Sequence, residues 1–293
     1  MSENADMIRK TWTANDKKRD SGLKTPEDVC RYDDIVYGSS KSEQVLDVYR
    51  PKRYEGKKLP VIVSVHGGAW VYGNKELYQF YCMSLAQRGF AVVNFTYRLA
   101  PENIFPAQLE DVSLAFEWLY KNSKEYGFDT EEIFALGDSA GAHLLALYSC
   151  CLTNPSYAEK FSFIKSDAVK PKAIALNCGV YRPRPRNIAG FKDLMGKEDL
   201  TQADLDAVTV FPHVTKDFPP VFVMTSFGDF LKEQALELAQ RLMECSVPFT
   251  LKVYGNAKTP LYHVFHVNMK QAEAAVCNDD ECNFFATFCK AKA

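Results

Sequence analysis

Short apolar runs, separated by longer stretches with helical periodicity, recur along the whole chain. The first two runs alternate apolar and polar residues, as antiparallel edge strands do, whereas the six later runs read as mostly parallel strands. The predicted strands span residues 35–37, 45–49, 60–65, 90–95, 133–136, 173–177, 221–226 and 249–254. Helical patterns lie between them, so the sequence predicts an α/β fold with a mostly parallel central sheet and helices on both faces.

One region interrupts this alternation. Residues 179–218 contain a stretch rich in proline and arginine, followed by two short amphipathic pieces. We interpret 179–218 as a small cap insertion, with a contribution from residues 1–30. The remaining sequence shows no break in composition, and 293 residues with 47% hydrophobic content can bury one large core. The prediction is a single domain over 1–293.

Composition and charge narrow the environment and the partners. A formal net charge of -2 gives no electrostatic reason to expect nucleic acid or an anionic membrane. Residues 1–22 are polar and include no apolar signal segment, and no run approaches a membrane span. Nine cysteines, without a Cys-x-x-Cys pair, predict reduced buried thiols rather than disulfides or a metal site. We therefore expect a cytoplasmic protein with no bound metal.

A glycine-flanked serine follows the predicted strand 133–136. Residues 137–141 read Gly-Asp-Ser-Ala-Gly and lead into an apolar helical stretch. Such a sharp strand-to-helix turn leaves no room for side chains two residues from the serine, so Gly137 and Gly141 are required by sterics. The turn exposes the Ser139 hydroxyl beside a helix N-terminus, which favours negative charge. Ser139 is the predicted nucleophile.

A second glycine turn follows the strand 60–65. It reads His-Gly-Gly-Ala-Trp over residues 66–70, and its small residues let backbone amides approach a ligand closely. Such amides form oxyanion holes, in which one donor typically stabilises the transition state by about 3 kcal/mol. The predicted donors are the amides of Gly67, Gly68, Ala69 and Ala140. His66 would sit behind these donors, so we expect it to hydrogen-bond its own loop.

A serine nucleophile needs a base, and the base needs an orienting acid. The chain contains five histidines: His66, His143, His213, His263 and His266. Asp229 follows the strand 221–226, and His263 and His266 follow the next predicted strand. Both loops leave carboxyl ends of strands, which places them on the same edge of the sheet as Ser139. The order serine, aspartate, histidine is that of the α/β-hydrolases, but spacing alone does not separate His263 from His266.

Three further residues are candidates for the acid or the base. His143 lies one helical turn after Ser139, but its face of the helix packs toward the sheet, which predicts a core histidine. Asp138 adjoins the nucleophile and points elsewhere, so we expect a structural or charge-tuning role. Glu233, one turn after Asp229, is the alternative acid.

Further motifs give the chain a family resemblance. Residues 97–102 read Tyr-Arg-Leu-Ala-Pro-Glu and are followed by Phe-Pro-Ala at 105–107 and by Asp111. Together with the two glycine turns, these motifs resemble the hormone-sensitive-lipase-like esterases. The segment 45–51 resembles their bacterial small-ester and carbohydrate-esterase branch. The resemblance covers the chain from about Asp34 to the C-terminus.

The resemblance implies an α/β-hydrolase fold, a cap over the site and carboxylesterase activity without a cofactor. It favours a triad of Ser139, Asp229 and His263. Ala69 replaces the usual third glycine of the oxyanion loop, Phe230 interrupts the usual Asp-Pro-Leu, and Val264 interrupts the usual His-Gly-Phe. Ala69 keeps its amide, and the other two departures concern fine geometry rather than the triad.

The substrate is less strongly indicated. The predicted pocket aromatics are Trp70, Tyr72, Phe230 and Tyr262. A short cap and the resemblance favour small esters with acetyl-type acyl groups, carbohydrate esters among them, over long lipid chains. Exposed arginines between prolines usually belong to a solvated loop, which is the favoured interpretation of Arg182, Arg184 and Arg186. The alternative is that they bind an anionic or sugar leaving group. The oligomeric state stays open, a homodimer included.

The predicted function is thus a serine carboxylesterase that forms an acyl-enzyme on Ser139. A serine peptidase or amidase on the same fold is one alternative, although the chain offers no extra domain for selecting peptides. A non-catalytic small-molecule receptor on this scaffold is another. Retention of serine, aspartate and histidine argues against the receptor.

Overall fold

The computed structural model describes residues 2–165 and 167–290; Met1, Ser166 and residues 291–293, which the predicted domain 1–293 also spans, lie outside the described residues. The strands are β1 (Val29–Val36), β2 (Val45–Pro51), β3 (Leu59–Val65), β4 (Ala91–Phe95), β5 (Phe128–Asp138), β6 (Ala173–Asn177), β7 (Val221–Ser226) and β8 (Phe249–Tyr254). They form one sheet in the order β1-β2-β4-β3-β5-β6-β7-β8. β2 is antiparallel to both of its neighbours, and β3 to β8 run parallel.

Helices cover both faces of this sheet. They are α1 (Glu3–Asp20), α2 (Lys75–Gln87), α3 (Ala107–Lys121), α4 (Ser123–Tyr126), α5 (Ala140–Thr153), α6 (Pro155–Ala158), α7 (Ile188–Met195), α8 (Gln202–Val208), α9 (Lys232–Glu244) and α10 (Ala272–Ala286). Side chains alternate between faces along each strand, so Val61 and Val63 join one core with α3, α5 and α9, while Ile62 joins the other with α2 and α10. The predicted mostly parallel α/β architecture is confirmed.

The strand order creates a natural place for a site. From β3 the chain continues to β4 on one side, and then returns to place β5 on the other side of β3. Where the connections from neighbouring parallel strands run in opposite directions, the loops at the carboxyl ends of those strands separate and leave a crevice. Val65 pairs with Gly137 at these ends, so the two glycine turns begin side by side.

Two segments outside the sheet lie near this crevice. The first helix, α1, has two buried residues, Ala5 and Ile8, among its eighteen. Polar contacts fix it instead: Arg9 Nε donates to the Val71 carbonyl at 2.8 Å, and Asn4 donates to Asp193 of α7 at 2.6 Å. Residues 179–218 include α7, α8 and a short 3-10 turn. The assignment of these segments as a cap stays a prediction. None of the described helices is long and apolar enough to cross a lipid bilayer.

Candidate active site

Ser139 occupies a strained turn between β5 and α5. Its backbone angles are φ 53° and ψ -112°, a conformation that non-glycine residues rarely adopt and that is characteristic of functional sites. A Cβ added to Gly137 would lie 2.6 Å from the carbonyl carbon of Gly141, and one added to Gly141 would lie 2.0 Å from the Val65 oxygen. The prediction that both positions must be glycine is confirmed. Ser139 stands at the N-terminus of α5, where the dipole favours an anion.

The second glycine turn packs against the nucleophile. A Cβ on Gly67 would lie 3.4 Å from the Cβ of Ser139. The Gly67 amide, however, already donates a hydrogen bond to the Tyr78 hydroxyl at 3.0 Å. The sequence prediction of Gly67 as an oxyanion donor is therefore wrong, because a buried tyrosine occupies that amide.

The remaining predicted donors are available. Within the described part of the chain, no protein acceptor binds the amides of Gly68, Ala69 or Ala140. Gly68 has φ +131°, and a Cβ there would lie 1.8 Å from the Tyr72 oxygen, so only glycine fits. Ala69 has φ 51°, which turns its amide without requiring glycine. Three unpaired amides at a helix N-terminus and an adjacent turn form a suitable binding site for an oxyanion.

Asp229 and His263 form a hydrogen-bonded pair, with His263 Nδ1 2.7 Å from Asp229 Oδ1. The carboxylate also accepts the Leu231 amide at 2.9 Å and the Thr225 hydroxyl at 2.9 Å. Burial raises the pKa of Asp229, but the hydrogen bond and charge of His263, together with the other two donors, leave the pKa below its usual range. An ionised Asp229 fixes the proton on His263 Nδ1 and leaves Nε2 free to accept one. Glu233, the alternative acid, is exposed.

Ser139 and His263 line the same small cavity, of about 230 Å³. The two glycine turns, Tyr72, Leu77, Tyr78 and Val264 form one part of its wall, and α1 forms another. Among the described residues, no hydrogen bond involves the Ser139 hydroxyl. In ligand-free sites such bonds often form only when substrate binds.

Of the four predicted pocket aromatics, Tyr72 lines this cavity. Trp70 is 2% exposed and packs its ring 4.6 Å from that of Phe191, so it belongs to the core beside the site. Phe230 and Tyr262 are 48% and 67% exposed and lie outside the cavity wall, with the Phe230 ring 4.6 Å from that of His263. The prediction that Trp70, Phe230 and Tyr262 line the substrate pocket finds no support in the wall of this cavity, because the sequence does not reveal the direction of a side chain.

The first helix supplies wall residues that the sequence did not indicate. They are Trp12, Asn15, Asp16 and Arg19. Asp16 accepts a hydrogen bond from the Tyr72 hydroxyl at 2.8 Å, which fixes α1 to the loop after β3, and Arg19, also on α1, donates to Asp16 at 3.0 Å. No local signal could have identified these residues, because a polar N-terminal helix carries no mark of the surface that it will contact.

Three other histidines have structural partners. His66 lies 2.7 Å through Nδ1 from the Gly67 carbonyl, and its ring stacks on Tyr97 at 4.0 Å. His143 Nε2 lies 2.7 Å from the Val208 carbonyl. Burial lowers the pKa of each of these two imidazoles to about 4, so both are neutral near pH 7. His213, which is half-buried, lies 3.0 Å through Nε2 from the Asp206 carbonyl.

The fifth histidine, His266, is buried and pairs with Asp138 at 2.8 Å. Burial lowers the pKa of His266, but the charge and hydrogen bond of Asp138 outweigh it and leave the pKa raised. His266 therefore does not reach the cavity, and His263 is the histidine placed beside Ser139.

The arginine cluster is also used internally. Arg182 pairs with Glu237 at 2.9 Å, Arg184 pairs with the same carboxylate, and Arg186 donates to the Phe230 carbonyl. These partners leave little reason to assign the arginines to a ligand.

One group of side chains has the composition of a metal site. The ligand atoms of Cys178, Asp229 and His263 all lie within 4.8 Å of one another. Burial, followed by the negative charge of Asp229, raises the pKa of the Cys178 thiol well above its usual value, whereas metal binding requires a thiolate. Asp229 and His263 already bind each other, so the arrangement of these side chains suits the catalytic pair better than a bound cation. All nine cysteines are free thiols; six are buried, and Cys30, Cys245 and Cys289 are half-buried.

Comparison with known proteins adds a second line of support. Residues 46–242 match the protein family described as BD-FAE. Esterase LipC of Mycobacterium tuberculosis is 36% identical over 232 residues, covering 72% of this chain and 55% of LipC. LipM of the same bacterium, a probable carboxylic ester hydrolase, is 31% identical and covers 76% of this chain and 54% of its own. The chain spans about half the length of these curated relatives.

A solved structure matches over nearly the full length. Esterase B from Lactobacillus rhamnosis, crystallised with a tributyrin phosphonate inhibitor, is 28% identical with a TM-score of 0.88. The match covers 98% of this chain and 96% of that one. The predicted α/β-hydrolase fold is confirmed.

Proposed function

The chain belongs to the BD-FAE family and to the hormone-sensitive-lipase-like α/β-hydrolase carboxylesterases, and on that premise we propose that it is a serine carboxylesterase forming an acyl-enzyme on Ser139. One observation carries the proposal: Ser139 and His263 line one cavity, Asp229 binds His263 from behind, and three unpaired amides lie in the adjacent turns. These are the parts that acyl transfer requires, namely a nucleophile, an oriented base and an oxyanion site.

In the acylation step, His263 Nε2 takes the proton of Ser139 Oγ as the oxygen attacks the ester carbonyl. The carbonyl oxygen becomes an oxyanion, and the amides of Gly68, Ala69 and Ala140 stabilise it. Asp229 stabilises the imidazolium that forms. Collapse of the intermediate breaks the ester C–O bond, and His263 returns its proton to the departing alkoxide, which leaves as the alcohol.

Deacylation reverses these roles. A water molecule replaces the alcohol, gives one proton to His263 and attacks the acyl carbon through the same oxyanion site. The free acid leaves, and the proton on His263 restores the Ser139 hydroxyl. Every proton in the cycle thus passes through one imidazole, and no cofactor is needed.

We propose short, acetyl-type acyl groups as substrates because the cavity is small. Its volume of about 230 Å³ lies below the roughly 300–1,000 Å³ of typical ligand pockets. Trp12 and Asn15 of α1 add an aromatic ring and an amide to the wall, a combination that suits a polar cyclic alcohol such as a carbohydrate. The predicted cap would then consist of 1–30 with 179–218. Cytoplasmic location and a homodimer stay predictions.

The test is hydrolysis of 4-nitrophenyl acetate, butyrate, octanoate and palmitate by the wild type and by Ser139→Ala. Ser149→Ala is a matched control, since Ser149 also lies on α5 but its hydroxyl donates to the Leu145 carbonyl. We expect turnover that is highest for acetate or butyrate, unchanged in Ser149→Ala and lost in Ser139→Ala. Labelling with a fluorophosphonate should depend on Ser139 in the same way. A wild type that neither turns over esters nor takes up the label would contradict the proposal.

A further inference from the structure

A group of buried polar side chains lies beneath the nucleophile turn and takes no direct part in the proposed reaction. Its members are at most 1% exposed: Tyr81, Asp138, Asn177, His266 and Glu281. Asp138 Oδ1 lies 2.8 Å from His266 Nε2. Glu281 accepts hydrogen bonds from Tyr81 at 2.7 Å and from Asn177 at 2.8 Å. Buried polar groups are costly unless they are paired, so this cluster requires an explanation.

The positions of one pair in the sequence suggest that explanation. Asp138 immediately precedes Ser139, and His266 follows His263 by one short turn. The two residues are 128 positions apart along the chain, yet a single hydrogen bond joins them. That bond therefore connects the backbone segment that carries the nucleophile to the segment that carries the base.

The loop that carries the base needs such a connection. Val264, directly after His263, has φ 50°, a left-handed conformation that is a genuine outlier for a β-branched residue. Strained conformations persist only when the surroundings impose them. The loop is fixed on both sides of the strained residue: the Val264 amide lies 3.5 Å from Cys178 Sγ, and the His266 side chain binds Asp138.

The helix α10 supports the histidine from behind. Asn278 of α10 donates to the His266 carbonyl at 3.2 Å, which fixes the backbone. The ring of Tyr81, on α2, packs edge-on to the imidazole at 5.2 Å. The Asp138–His266 pair therefore has little freedom to move. A rigid pair of this kind can hold a catalytic distance that flexible loops would not.

We propose that Asp138 and His266 are positioning residues, whose mutual hydrogen bond sets the distance between Ser139 and His263. This inference rests on the proposed esterase function. The pair does not touch substrate; it acts through the two residues that do. Misplacement of catalytic groups by about 1 Å can lower a rate by roughly 100-fold, which sets the expected scale.

The test compares Asp138→Leu, His266→Leu and the double variant with the wild type, using 4-nitrophenyl butyrate. Each single variant should lower kcat by roughly 10- to 100-fold and change KM by less than about threefold. The double variant should be no worse than the poorer single variant, because both changes remove the same bond. Asp138→Asn keeps an oxygen that can accept from His266, and it should retain kcat within about tenfold of the wild type.

Glu132→Gln is the matched control, since Glu132 is a buried carboxylate on the same strand, away from the nucleophile turn and paired with Lys172 at 3.1 Å. All variants are assayed well below their measured melting temperatures. Glu132→Gln should lose stability without losing kcat. If one leucine variant does not fold, the other single variant and Asp138→Asn still decide the question.

Two results would overturn the positioning role while leaving the esterase intact. One is an active wild type whose Asp138→Leu or His266→Leu keeps kcat within threefold. The other is a double variant whose loss is the product of the single losses. Failure of the proposed function looks different, because the wild type itself would then show neither ester turnover nor fluorophosphonate labelling.

Discussion

Replacing Asp229 by asparagine removes the charge beside His263 while keeping the size of the side chain. Oδ1 of Asp229 accepts from both His263 Nδ1 at 2.7 Å and the Leu231 amide at 2.9 Å. Because two donors point at this atom, asparagine should place its carbonyl oxygen there. Its NH₂ group then faces the Thr225 hydroxyl, which can accept as well as donate. We therefore expect His263 to keep its proton on Nδ1 in Asp229→Asn.

The expected cost is then the lost charge alone. Unit charges about 4 Å apart interact by about 4 kcal/mol at an effective dielectric constant of about 20. Since about 1.4 kcal/mol corresponds to a factor of ten in rate, kcat should fall by roughly 1,000-fold. An asparagine that forced the wrong tautomer would cost roughly 10,000-fold, as in other serine hydrolases. The two geometries thus predict different rates.

The assay is kcat for 4-nitrophenyl butyrate, with Ser139→Ala as the baseline. Nitrogen-15 NMR of histidine-labelled protein reports which ring nitrogen of His263 carries the proton. A loss below about tenfold would remove Asp229 from the role of orienting acid. A proton on Nε2 in the variant would refute the argument from the two donors, whatever the rate.

Three further predictions concern stability, each measured by urea unfolding. Gly141→Ala should lower the free energy of unfolding by more than about 4 kcal/mol, because its Cβ would lie 2.0 Å from the Val65 oxygen. Gly190→Ala, whose Cβ would lie 3.2 Å from the Trp70 ring, should lower it far less. Equal losses at the two positions would contradict this reasoning. Burial lowers the pKa of His143 to about 4, against about 6.5 in the unfolded chain, so the unfolded state binds more protons below pH 6.5 and stability falls as the pH decreases toward 4. Between pH 7 and pH 5 the free energy of unfolding of His143→Asn should fall by about 2 kcal/mol less than that of the wild type. An equal fall in both proteins would argue against a neutral buried imidazole. Val264→Gly should raise the free energy of unfolding by up to about 1 kcal/mol by relieving φ 50°, while Val276→Gly on the exposed face of α10 should lower it by about 1 kcal/mol; a loss at both positions would show that Val264 is not strained.

The sequence predicts those parts of the site that depend on neighbours along the chain. The strands follow from periodicity, and the nucleophile turn follows from two glycines whose steric need is local. It does not predict parts that depend on packing between distant segments. The Gly67 amide was assigned to substrate because nothing near it in sequence reveals that the Tyr78 hydroxyl takes it. Likewise, spacing did not separate His263 from His266, and only the partner of each, Asp229 or Asp138, distinguishes them.

The wall that α1 contributes to the cavity has a consequence for how this protein can diversify. Two of its eighteen residues are buried, so substitutions along most of α1 lose little buried apolar surface and should cost little stability. Trp12 and Asn15 nevertheless line the cavity that contains Ser139 and His263. Under the proposed function, new substrate preferences can arise by mutation of this helix without disturbing the core that holds the triad, which makes α1 the natural target for directed evolution.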